Sequence, residues 1–301
     1  MDKKKVVITG PIRNSEHSLS AHLTSVLDLD TEGLDIEYCY YTYNNKDNTL
    51  EILKQFKDTV DVSCTIVHEE IDLQRISIYK EHFWDDQSLL FMQAVRNHCV
   101  RMAAERKADY AYMVDSDVIM HPQSLKRLIE INNNGVSGSL LAKTFDKQEP
   151  QVNFGMMIID DGHSNLAIPI GVFNDMPQRT SGFIEVAVMW GSWLIDKSAF
   201  NVLFSELKKN EAYVDAMEFK IFSKNCRHLG ISQRIDLKYP GIHLERSFFP
   251  VIPWQYFQGF PKEGGISGEL VCGACKTSHS PEDPCPQVAD YTGWKDIFEV
   301  T

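Results

Sequence analysis

The stretch Asp109-Tyr-Ala-Tyr-Met-Val-Asp-Ser-Asp-Val118 decides the fold. Its apolar centre, Tyr110 to Val114, reads as a short buried strand. Asp115, Ser116 and Asp117 follow at once, so two carboxylates stand just past the carboxyl end of that strand, where open α/β sheets bind ligands. Hard carboxylate oxygens suit Mg²⁺ or Mn²⁺, which in turn clamp a diphosphate. The same three residues also suit a turn capping a following helix, because Asp and Ser favour turns.

Working outward, β-type and α-type patterns alternate through the first half. Val6 to Thr9 reads as a strand, Gly10 to Asn14 as a loop, and Ser15 to Leu29 as a helix with Leu19, Leu23, Val26 and Leu27 on one face. Ile36 to Tyr43 and Val62 to Val67 are further strands, separated by a turn over Asn44 to Thr49 and a helix over Leu50 to Lys57. Glu69 to Gln87, with Tyr79, Phe83 and Trp84, has no clean period and reads as a long connection, and long loops in compact domains are often functional. Leu89, Met92, Val95, Cys99 and Met102 make a helix of Ser88 to Lys107. Beyond the aspartates come a helix (Pro122 to Asn133) and a strand (Val136 to Ala142). Strand-like stretches then follow from Gln151 to Asp160 and from Gly182 to Met189 without intervening helices. Lys197 to Lys209 and Met217 to Leu229 read as helices, and Ile231 to Leu237 as the final strand. The expected architecture is α/β: a mostly parallel sheet flanked by helices, followed by a mixed-strand half that builds the acceptor side.

The bulk numbers narrow the function classes. With 301 residues and 43% hydrophobic composition the chain can bury a full core. Its 42 acidic residues against 30 basic ones, a formal charge of -12, argue against a broad nucleic-acid footprint. No run approaches a membrane span, and Val6 to Gly10 is too short for the core of a secretory signal, so no membrane partner is expected and cytoplasmic residence is the default. Cys39, Cys64, Cys99 and Cys226 sit singly in apolar segments, as packed reduced thiols do.

Taken in order, Asp47-Asn-Thr49, Ala108 to Asp117 and Trp193-Leu-Ile-Asp196 make the chain resemble the GT-A glycosyltransferases, in particular the procollagen galactosyltransferase family and the glycosyltransferase domain of lysyl hydroxylases. The likeness runs over roughly residues 5 to 245 and rests on several ordered motifs rather than one. It implies a GT-A type sheet and a UDP-sugar donor held through Mn²⁺ or Mg²⁺. Arg13 and Asn14 resemble the family's Arg-Asn near the nucleotide, and Tyr43 to Thr49 its Asp-His-Asn-x-Asp-Asn-Thr turn, which brings in Tyr43 and Asp47. Tyr43 departs from the pattern, standing where that family has an acidic residue.

For Asp115 and Asp117 the resemblance implies metal and donor binding, with Ser116 between them. His243 in Gly241-Ile-His-Leu244, just after the final strand, would be a third ligand. Diphosphate oxygens and water would complete the shell. Asp215-Ala-Met-Glu-Phe219 falls on the family's acidic pair at a helix start, with Met217 in place of its first acid, making Glu218 the candidate base and Asp215 its alternate. A helix-terminal acid favoured by the macrodipole is the plainer reading of both. Trp190 and Trp193, on a loop around Gly191, are candidates to stack a sugar face or are core residues.

Beyond Phe249 periodicity fades, dividing the chain into a transferase domain at 1–248 and a loop-rich, Gly/Pro/Cys-rich appendage at 249–301. Cys272, Cys275, His279 and Cys285 have the ligand types of a closed structural Zn²⁺ site; a Cys272–Cys275 redox pair or plain thiols are the alternatives. Three functions fit these residues: transfer of a hexose from a nucleotide-sugar to a hydroxyl of a protein, glycan or modified nucleobase; nucleotidyl transfer on a similar sheet; or a non-catalytic glycan- or nucleotide-binding module. The single glycine at Gly10 is poor support for the second, since such enzymes usually carry a Gly-rich phosphate loop there.

Overall fold

Central strands buried on both faces build the sheet of this computed structural model, which describes residues 3–71, 86–143, 151–153, 167–169, 182–186, 188–205 and 217–244. The first half comprises β1 (Lys4–Ile12), α1 (Glu16–Leu27), β2 (Leu34–Tyr43), α2 (Thr49–Thr59), β3 (Cys64–Glu69), α3 (Asp86–Glu105), β4 (Tyr110–Val114), β5 (Val118–Ile119) and α4 (Ser124–Ile131). The second comprises β6 (Val136–Lys143), β7 (Gln151–Asn153), β8 (Ala167–Pro169), β9 (Phe183–Glu185), β10 (Ser192–Asp196), α5 (Glu218–His228) and β11 (Gln233–His243).

Among the described residues these strands form one sheet whose main path runs β3-β2-β1-β4-β10-β6-β11-β5. The pairs β1–β2, β2–β3 and β1–β4 are parallel, whereas β10 runs antiparallel to both β4 and β6. Val6, Ile8, Tyr38, Tyr40, Tyr110, Tyr112 and Leu194 face α1, α2 and α4, packing on Leu19, Leu23, Phe56 and Leu125. Their neighbours Val7, Cys39, Tyr41, Ala111, Met113, Trp193 and Ile195 face α3 and α5, packing on Val95, Cys99, Met102 and Phe222. One residue of displacement along a strand therefore chooses the helix layer.

Several expectations are corrected. β1 continues through Gly10-Pro11-Ile12, read above as loop, because all three residues keep register with Tyr40, Tyr41 and Thr42 of β2. The two-residue β5 directly after the aspartates was not foreseen; it exists because β11 pairs with it, Ile242 to Ile119 and His243 to Val118. β11 itself runs past Leu237 through an irregularity between Asp236 and Gly241, so His243 lies on the strand rather than after it. Leu27 is 46% exposed, because eight residues after Leu19 it has turned about 80° off the buried stripe of a 3.6-residue helix. In place of a helix from Lys197, the described residues show a 3-10 turn, Lys197–Ala199. Asp196 caps it by accepting from Ser198 N, the bonds Phe200 N to Lys197 O and Val202 N to Ala199 O follow, and Phe204 then turns into the core. Residues 206–209 of that expected helix, with Tyr79, Phe83 and Trp84 of the long connection, lie outside the described residues.

Candidate active site

β1 and β4 end side by side, and glycine makes that possible: a Cβ on Gly10 would lie 2.3 Å from the carbonyl oxygen of Val114. The loop after β1 thereby reaches the Asp115–Asp117 loop, and the hydroxyls of Ser15 and Ser116 meet at 2.8 Å. The Asn44–Thr49 turn braces the same loop from the other side. Asp47 accepts from Glu16 N (3.1 Å) and Thr49 N (3.0 Å), Thr49 Oγ1 accepts from Ser15 N (2.7 Å), and Asn14, in the left-handed region at φ 47°, accepts from Lys46 N (2.8 Å). Asp47 and Asn14 thus frame the loop with the groups that would otherwise meet a ligand. Arg13 is placed differently. Its guanidinium lies 5.3 Å over the ring of buried Tyr43 and forms no ion pair with any described carboxylate. The Tyr43 hydroxyl turns inward to Met92 Sδ at 3.8 Å, so this residue supports Arg13 from below.

Asp115 is the first residue past β4, and strand alternation after Val114 aims it at the α3–α5 layer. There it meets Arg96, a charged residue on the buried face of α3. Arg96 Nη1 donates to Asp115 Oδ1 at 2.8 Å, Nη2 to Oδ2 at 3.3 Å, and Nε to Glu218 Oε1 at 2.9 Å. The guanidinium lies 4.6 Å over Trp193. Burial alone would disfavour its charge, but the two carboxylates more than offset this and raise its pKa above the usual value. Glu218 is the first residue of α5, as expected of a helix-terminal acid, yet it is only 3% exposed, and its Oε2 has no partner among the described residues. Sequence reading missed Arg96. The signal was there: it lies four residues after Met92 and three before Cys99, a charge on an otherwise apolar stripe.

Asp117 sits on the open side of the same loop. Its Oδ2 is 3.5 Å from His243 Nε2, and the Leu244 amide donates to its carbonyl oxygen. The β5–β11 pairing brings the two residues together. Two oxygen or nitrogen ligands on one Mg²⁺ or Mn²⁺ stand about 3 Å apart, so the Asp117–His243 separation is one that a single cation could bridge. Asp115, expected to share in metal and donor binding, is instead held by Arg96, and among the described residues no group of three His, Cys, Asp or Glu side chains is arranged to hold a metal ion. Trp190 packs edge-on to His243, ring centroids 5.2 Å apart, and is half-buried against the core. Trp193 is corrected: it lies not on a loop but in central strand β10, fully buried against Phe204. Asp215 and the four residues Cys272, Cys275, His279 and Cys285 lie outside the described residues.

The family profile described as "Glycosyltransferase family 25, N-terminal domain" matches residues 3–157, just over half of the chain. The chain belongs to glycosyltransferase family 25. The matched span carries the Arg13, Asp47 and Asp115–Asp117 segments, while Glu218 and His243 of this family 25 chain lie beyond it. No curated protein matches it. Among solved structures it is similar to GalNAc-T7, crystallised with UDP, GalNAc and Mn²⁺, at TM-score 0.56 and 11% identity over 81% of this chain and 44% of that one. That likeness shows a GT-A fold. S. aureus TarS 1-349 in complex with UDP matches at TM-score 0.46 and 16% identity, over 77% of this chain and 57% of that chain, and full TarS over 34% of its length. The family 25 chain therefore spans well under two thirds of these structures.

Proposed function

We propose that this chain is a metal-dependent glycosyltransferase that moves a hexose from a UDP-sugar to an acceptor hydroxyl. The observation that carries this reading is the Asp117–His243 pair on the loop after β4, a loop joined through the Ser116–Ser15 hydroxyl contact to the loop after β1 that carries Arg13, a cation free of described carboxylates. A divalent ion at Asp117 and His243 would bind the diphosphate, and Arg13 would add a second positive charge. Mn²⁺ or Mg²⁺ bound there would neutralise charge on the departing diphosphate. Crystallisation of GalNAc-T7 with UDP and Mn²⁺ agrees with this donor and metal.

Ser116 and the Ser15 hydroxyl border the donor side, and Trp190 beside His243 offers an aromatic face to the sugar. Glu218 Oε2 has an open acceptor position in a water-poor setting and would take the proton of the attacking hydroxyl, the role of base in an inverting transfer, with Asp215 as the alternate. The acceptor hydroxyl belongs to a protein, a glycan or a modified nucleobase. No helix among the described residues is long and apolar enough to cross a membrane. The lone thiols Cys39, Cys99 and Cys226, all buried and free, support residence in a reducing compartment such as the cytoplasm.

Incubation with a panel of UDP-sugars, with and without Mn²⁺, should release UDP from one of them only when metal is present. Release from none, with no binding of UDP·Mn²⁺, would leave the family's fold without its chemistry.

A further inference from the structure

Resting on that reading, we infer that Arg96 is the positioning residue of the transfer site, tying the carboxylate that ends β4 to the one that opens α5 so that donor-side and acceptor-side groups are held as one unit. The three residues come from distant parts of the chain, Arg96 and Glu218 being separated by 122 positions, and among the described residues only the Arg96 side chain bonds both carboxylates. The guanidinium commits Nε to Glu218 and both terminal nitrogens to Asp115. A lysine could reach both carboxylates only from one nitrogen, without the planar fork that grips Asp115 at two points while Nε holds Glu218.

The plane of that fork is itself fixed. Arg96 lies on Trp193 at 4.6 Å and within 6.0 Å of Phe204, and Phe204 stacks on Phe222 of α5 at 4.1 Å with an interplanar angle of 8°. The aromatic stack thus carries the helix that bears Glu218 to the arginine. Stability is a weak reason for such an arrangement, because well-packed apolar residues usually serve a core as well as a buried ion triad does. The charge count points to function: one cation faces two carboxylates, and the excess resides where Glu218 Oε2 has no described partner. With Oε1 bound to Arg96, the carboxylate plane is fixed, and Oε2, buried and without a described partner, is the acceptor it leaves for a hydroxyl.

The test uses the full chain with the UDP-sugar identified from the panel. Arg96→Lys, checked for folding by circular dichroism, should lower kcat by roughly tenfold or more with a smaller change in donor KM, the signature of a misaligned base rather than of lost donor binding. In a Glu218→Gln background the same substitution should lower the residual kcat by no more than about threefold, because there is no base left to position. Should Arg96→Lys not fold, Arg96→Gln replaces it in both backgrounds. Equal losses in the two backgrounds, or a fall in activity that merely tracks the folded fraction, would overturn the role of Arg96 while leaving the transferase reading intact. A wild-type chain that binds no UDP·Mn²⁺ and turns over no UDP-sugar overturns both.

Discussion

Asp115 and Asp117, two residues apart, end in different surroundings. Asp115 is gripped by Arg96, whereas Asp117 faces His243 on the open side. Their substitutions should separate accordingly. Asp117→Ala is expected to abolish Mn²⁺-dependent UDP binding with little loss of stability, since its side chain serves no described core contact; calorimetric titration of UDP with Mn²⁺, beside a thermal melt, checks both halves. Asp115→Ala should lower the melting temperature instead, because it strips a buried guanidinium of one partner, a loss on the order of 3 kcal/mol. At Glu218, replacement by Gln keeps the size and a hydrogen-bonding oxygen for Arg96 but removes the base. Donor affinity should survive while transfer falls about a hundredfold or more. Undiminished turnover would move the base to Asp215 or call for a retaining mechanism.

At the scale of elements, the site depends on how closely strand ends and helices approach. Gly10→Ala would drive a Cβ into the Val114 carbonyl, which is backbone and cannot swing aside, so β1 and β4 must part. Urea unfolding should show a loss of about 1–3 kcal/mol or more. α1 is docked through His22, a fully buried imidazole whose Nδ1–H donates to the Val118 carbonyl at 2.8 Å and whose Nε2 has no described partner. Burial lowers its pKa below the usual 6.5. The folded state then binds fewer protons than the unfolded state as pH falls through 6.5, so stability should decline in that direction and be fully present above it. His121, pushed down to about 4 by burial, adds to the same window. The slope of stability between pH 4 and 6.5 should shrink in His22→Gln; an unchanged slope would assign it to His121 and the carboxylates.

For the whole molecule, the sheet changes character at β10, and the site lies at that change: Arg13, Asp115 and Asp117 come from the parallel half and its loops, Glu218 and His243 from the mixed half. Beyond it, the 249–301 appendage is expected to bind one Zn²⁺ through Cys272, Cys275, His279 and Cys285, in a site that sorts metals differently from the aspartate loop because thiolates prefer zinc and carboxylates prefer harder ions. Metal analysis of protein purified without added zinc should find one equivalent, lost in Cys272→Ser/Cys275→Ser; none bound would leave these residues as ordinary thiols.

Local periodicity and turn chemistry were enough to place β4 at Tyr110 to Val114, α5 near Glu218 and the carboxylates beyond β4, because each of these depends on residues within a turn or a strand of one another. Ordered motifs also carried the likeness to a glycosyltransferase before any contact was known. What the linear pattern could not supply were facts that exist only between distant segments. β5 is a strand because the end of β11 pairs with it, and that pairing, with the Leu244 amide on the Asp117 carbonyl, sets His243 beside Asp117. Trp193 reads as either a cleft aromatic or a core residue, and only β10's place between β4 and β6 decides for the core. The spacing of Arg96 puts it on the apolar stripe of α3, but only Asp115 and Glu218, arriving from elsewhere, explain a charge there, since burying a guanidinium is tolerable only where opposite charges await it.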